Sequence, residues 1–178
     1  SLPIRHKKGH APEKLPASMK EAVRVFVLAS AIRAGRGDGK KHSTMMVNVS
    51  RFTDVQTNVR LMLEDYVQEL RDAVVGHAAL STEEALRDTH MSALHDTWDE
   101  RNLSGESVWH QLQTHLRETV NSITVIEVNS SATAEPLDYS YANYPNGRRL
   151  IAIGGMNLSR GLTLEGLCVS YFLRNSVM

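Results

Sequence analysis

Cysteine is nearly missing from this 178-residue chain. The single Cys168 excludes an internal disulfide and fits a reducing cytoplasm, and its apolar neighbours point to a core position rather than a nucleophile. Long hydrophobic runs are missing too. None approaches the roughly 18 residues of a membrane span, and no signal-peptide pattern follows the basic start, so no membrane partner is expected. Charge of one sign does not dominate, with 20 Lys and Arg against 20 Asp and Glu. A restriction-type nuclease needs Glu-x-Lys beside an Asp, and no Glu-x-Lys occurs; Pro136-Leu137-Asp138 is an isolated fragment of that pattern. Among eight histidines, His90/His95 and His110/His115 stand five apart, on different helix faces, so no metal site is expected. Ala34 to Lys41 (AGRGDGKK) imitates a phosphate-binding loop but has Ala34 for the first glycine and Lys41 for the Ser/Thr. It also lies between a helix and a strand, the reverse of the required order, and reads as a basic loop able to meet DNA backbone nonspecifically.

What is present describes one α/β domain, or one domain with an insertion. A hydrophobic fraction of 42% is enough for a substantial core. Charge is segregated: residues 1–42 hold ten Lys/Arg against three Asp/Glu, and residues 62–121 hold four against twelve. The basic end suits nucleic acid, its own acidic partner segment, or plain solvation. The chain starts on Ser1-Leu2 without Met and stops at Ser176-Val177-Met178 without a turn signal, and reads as a fragment of a larger protein.

Residues 1–17 carry three prolines and form an extended lead-in to a domain over 18–178. Ser18-Met19-Lys20-Glu21 has the form of a capping box, opening a helix to about Arg33 with Ala22, Val25, Phe26, Ala29 and Ile32 on one stripe. Gly35, Gly37 and Gly39 break it. Thr44–Val49 is a buried-type strand, and Ser50 or Thr53 caps a second helix to about Val75. Residues 76–121 form an acidic helical insertion or a long crossover, with helices near 82–96 and 104–120 and Ser81 and Ser104 as caps. Further strands are expected at Ile123–Val128, Arg149–Ile153 and Cys168–Leu173, with a polar loop over 130–147. Strands alternating with helices predict a mostly parallel sheet with helices on both faces.

The densest signal is Ile151–Arg174, IAIGGMNLSRGLTLEGLCVSYFLR. A strand ends in Gly154-Gly155, turns through Asn157 and Ser159-Arg160-Gly161, and leads to another strand. Glycines at the carboxyl end of a parallel strand permit close approach of an anion to backbone amides, and ligands bind at that edge. A tight structural turn is the competing reading. Ser50-Arg51, with Thr53 opening the next helix, offers a hydroxyl, a guanidinium and a helix start to a phosphate; otherwise Ser50 or Thr53 is a cap and Arg51 a surface residue. Asn129-Ser130 follows its strand in the same way.

Ser159, Arg160, Gly161, Leu162 and Gly166 resemble motif V in the second RecA-like lobe of superfamily-two helicases. Gly155 stands where those helicases have Thr, and Thr163 where they have Asp. The blocks His42–Gln56 (HSTMMVNVSRFTDVQ) and Ile153–Arg174 resemble more closely the Z-one domain of bacterial endonucleases, a family linked to helicase modules in restriction-modification or DNA repair. The resemblance implies a partial RecA-like lobe (P-loop NTPase-type), without its phosphate-loop lobe, within an ATP-dependent DNA translocase or helicase. Arg160, Gly161 and Thr163 are then expected on the interlobe and nucleotide side. Ser50, Arg51, Thr53, Asn129, Gly154, Gly155 and Asn157 are expected to contact nucleic acid. ATP and Mg belong to the full-length protein, and none is expected on this fragment, which should be inactive alone. Partners are DNA, the missing first lobe, and a methyltransferase or nuclease subunit. The alternatives are a non-catalytic assembly module and, third, a nuclease domain.

Overall fold

The computed structural model describes residues 12–128, 137–155, 158 and 162–173. Helix α1 spans Ala17–Arg33 and continues into a π-helical turn, Ala34–Asp38. Strand β1 (Ser43–Asn48) is followed by α2 (Thr53–His77), the short α3 (Thr82–Ala85), α4 (Thr89–Glu100) and α5 (Trp109–Ser122). Strands β2 (Ile123–Glu127), β3 (Arg149–Gly154) and β4 (Leu167–Phe172) complete the order. All described pairings are parallel, in the order β2-β3-β1-β4. Each strand falls within one residue of its sequence expectation at either end.

The central strands β1 and β3 are buried at every position, as expected of strands covered on both faces. Met45, Val47, Ile151 and Ile153 point to a large cluster with residues of all five helices. Met46, Leu150 and Ala152 point the other way, into a smaller cluster with Val128, Tyr139 and Leu158, flanked by Leu137, Leu162 and Leu164. The described helices thus occupy one face of the sheet, and loop residues cover the other. This corrects the expectation of helices on both faces. The acidic block 76–121 joins the main cluster, because Met91, Leu94, Trp109, Leu112, Leu116 and Val120 are buried there.

Four local expectations change. Helix α1 starts at Ala17 on Pro16, whose carbonyl accepts from the N–H groups of Met19 and Lys20. Ser18 is therefore inside the helix, and its hydroxyl meets the Tyr171 hydroxyl at 2.9 Å instead of closing a capping box. The apolar stripe also shifts and widens: Phe26 and Ile32 are buried with Met19, Val23, Val27, Leu28 and Ala31 between β-sheet and helices, whereas Ala22, Val25 and Ala29 are only partly buried. Ser104 caps nothing: it lies in a 3₁₀ turn, and α5 starts after Val108. Ser81 does cap α3, accepting from the Glu84 N–H. Cys168 is exposed on the edge strand β4, not in the core.

The amino ends of the strands are tied by arginines. Arg149, 3% exposed, donates to Gly39 O (2.8 Å) and to the Ser122 hydroxyl (2.9 Å). Arg33 donates to His42 O and the Ser43 hydroxyl. Among the described residues no helix is long and apolar enough to cross a membrane.

Candidate functional site

The carboxyl rim of the sheet is built by the exits of β1 and β3. Pairing outlasts the strands by one step, the Val49 N–H donating to Gly154 O at 2.9 Å. Ser50 follows at 4% exposure, its hydroxyl accepting from the Phe52 N–H at 3.2 Å. Gln56, one turn into α2, returns to donate from Nε2 to Ser50 O at 2.8 Å. Phe52, in extended conformation, precedes α2, and no side chain caps the helix. The expected Ser50 or Thr53 cap is therefore absent: Ser50 closes its own two-residue turn, and Thr53 is an exposed first-turn residue.

Gly155 explains why the two exits lie so close. A Cβ there would stand 3.2 Å from Gln56 Nε2 and 3.3 Å from both Arg51 Cα and Ser50 O. At Gly154 it would stand 2.8 Å from Leu158 Cδ1 and 3.2 Å from Val128 O. Both glycines are buried. Their missing side chains seat the β3 exit against the β1–α2 turn, the tight structural turn that stood beside anion approach as a reading of these glycines. The structure thus brings together Ser50, Arg51, Gly154 and Gly155, with Thr53 two residues beyond Arg51.

Charge at this rim is mixed. Arg51 is exposed, its guanidinium carbon 5.1 Å from the centre of the Phe52 ring, and it pairs with no carboxylate among the described residues. Arg60 is committed to Glu64 (2.6 Å) and to Glu127 at the end of β2 (3.7 Å), and the Glu64 hydrogen bond raises its guanidinium above the ordinary arginine value. Asp54 occupies the first turn of α2, with Oδ1 buried and lacking a hydrogen-bond partner. A carboxylate there takes the place an incoming anion would want. The sequence reading singled out neither Asp54 nor Gln56, although Asp54-x-Gln56 in a first helical turn is a legible signal.

Thr163 is elsewhere. It is exposed between Leu162 and Leu164, which pack on the second cluster, and it leads to Glu165 and Gly166. The Glu165 and Gly166 carbonyls accept from the Thr44 hydroxyl and N–H, at the amino end of β1. Arg160, Gly161, Asn157 and Asn129 lie outside the described residues.

The opposite, amino rim carries an unanticipated cluster. His42 is 4% exposed; its Nδ1 accepts from the Arg148 N–H at 2.9 Å, so its proton sits on Nε2, 3.7 Å from Glu165 Oε2. Tyr139 and Tyr141 flank the ring at 5.0 and 4.5 Å. Asp138 closes the neighbouring loop, accepting from the Asn143 amide (2.6 Å) and the Ser140 N–H (2.7 Å). These bonds, Asn143 foremost, lower its pKa to about 2. Asp138 is thus a loop-closing residue. The 34–41 segment is a π turn ending in an Asp38–Lys41 pair at 2.8 Å, and it offers no strand–loop–helix cradle for a nucleotide. Among the described residues no three His, Cys, Asp or Glu side chains gather as a metal site.

Against known proteins, a family profile described as the Z1 domain matches residues 18–178. No curated protein and no solved structure matches.

Proposed function

The chain belongs to the Z1 domain family, and from that membership we propose that it is a partial RecA-like lobe of an ATP-driven DNA translocase or helicase-like module in a restriction or repair protein. One observation carries the reading: an all-parallel sheet whose β1 and β3 exits meet at the carboxyl rim beside the exposed Arg51. In open parallel sheets that rim is where ligands bind. On this reading ATP and magnesium bind with the first RecA-like lobe of the full-length protein, and this lobe supplies strand contacts. Arg51 reaches a DNA phosphate from the solvent side. Asp54 keeps that phosphate off the first turn of α2, and Ser50 with Gln56 fixes the turn that aims Arg51.

The test uses the full-length protein with both lobes. DNA should stimulate its ATP hydrolysis, and Arg160→Ala, which alters the motif V arginine, should reduce that turnover. Unchanged turnover would remove the motor assignment. Arg51→Ala should lower DNA affinity by about three- to tenfold and reduce the salt slope by about one. A second reading, an assembly module, is favoured by the exposed carboxylates Asp96, Asp99 and Glu100 on α4. On that reading, reversing these charges breaks complex formation and leaves DNA affinity intact.

A further inference from the structure

Away from the carboxyl rim, a cavity of about 120 Å³ opens where the π turn after α1 meets the start of α5. Its floor is apolar, from Ala31, Ile32 and Leu112. Its walls are polar: Arg36, Glu106, Ser107, Gln111 and His115. This turn ends α1, and Gly37 within it has a φ of +89°, which bends the backbone over α5. Here the turn places Gly35 over His115: a Cβ at Gly35 would stand 3.3 Å from His115 Cδ2 and 3.4 Å from Nε2. Arg36 and Glu106 form an ion pair between the two walls, and both are about half exposed.

One polar group inside is buried and unsatisfied, and others stand open toward the cavity. The Ser107 hydroxyl is buried and has no hydrogen-bond partner. Among the described residues neither the Gln111 amide nor the His115 ring makes a hydrogen bond. A buried hydroxyl left this way destabilises the fold unless something fills the space. Available donors are the Ser107 O–H, the Gln111 amide, the His115 N–H and the guanidinium N–H groups of Arg36 not turned to Glu106. The one charged acceptor, Glu106, is spent on Arg36.

We propose that this cavity is a binding site for a small oxyanion, a phosphate or short carboxylate group, held by Arg36, Ser107, Gln111 and His115, with Glu106 standing in for the ligand at Arg36 when the site is empty. The volume suits such a group, being several times the roughly 30 Å³ share of one water. Glu106 is a competitor, which gives the site a signature of opposite signs.

The experiment is a ¹H–¹⁵N titration of the chain with inorganic phosphate, and separately with acetate, at fixed ionic strength. Saturable shifts at Gly35, Arg36 and Ser107 are expected with at least one anion, and the tighter of the two tells a tetrahedral oxyanion from a carboxylate. Arg36→Gln should weaken that binding about tenfold, and Glu106→Gln should tighten it several-fold. Both positions are half exposed, and the dispersion of the same spectra verifies folding. No saturable shift with either anion, or an affinity indifferent to both variants, overturns the site. Neither result touches the carboxyl rim, so the DNA reading stands or falls separately.

Discussion

Arg149 carries a full positive charge at 3% exposure without a carboxylate partner among the described residues. Burial, first of all, lowers its pKa, and Arg33 adds to this while Glu118 opposes it; the guanidinium nevertheless stays charged at neutral pH. Its compensation is two helix ends. Gly39 O closes the π turn of α1, and the Ser122 hydroxyl relays to Thr119 O in the last turn of α5. Both are negative dipole ends. Arg149→Ala should therefore destabilise the fold by about 1–3 kcal/mol in chemical denaturation, because two part-buried acceptors lose their donor and a buried side chain is removed. A loss under about 0.5 kcal/mol would mean that these bonds contribute nothing net. Asp54→Asn has the opposite use. Removing a carboxylate from the first turn of α2 should strengthen DNA binding in the full-length protein a few-fold, where Arg51→Ala weakens it, and equal affinities in both variants would dissociate this rim from DNA. Asp138 gives a pH test. Its folded pKa is lowered from 3.8 to about 2, so the stability it lends the 138–143 loop is complete above the unfolded value and is lost as pH falls toward 2. The Ser140 amide signal should titrate in that window and become flat in Asp138→Asn.

At the scale of elements, helix and strand existence was legible because periodicity is strong: Val55, Val59, Leu63, Tyr66, Val67 and Leu70 are buried on α2 as their spacing requires. Caps were less legible. A Ser-x-x-Glu pattern looks alike wherever it falls, but Pro16 fixes an extended conformation before Ala17, so the helix starts ahead of Ser18. The glycines at the rim were visible, yet their packing partner was not, since what crowds a Cβ at Gly155 is the Ser50–Arg51 turn about a hundred residues away. Gly166 is a stronger case. Its φ is +65°, and a Cβ would stand 1.9 Å from His42 O. Gly166→Ala should cost more than about 3 kcal/mol and strip hydrogen-exchange protection first from β4, whose entry it sets. A wild-type exchange pattern would show that this turn relaxes freely.

At the scale of the molecule, one layer of helices covers one face of four parallel strands, and loops cover the other. The sequence could not reveal this asymmetry, because the central strands read as continuous apolar runs whatever covers them. The order of the strands has its own consequence. Among the described residues β1 pairs with β3 and β4, and its first partner, Arg149 opposite Ser43, emerges from synthesis roughly a hundred residues later. No hairpin among the described strands lets the sheet begin early. The nascent polypeptide must therefore hold β1 unpaired beside a finished set of helices until β3 leaves the ribosome, an interval in which a chaperone has its best chance to bind.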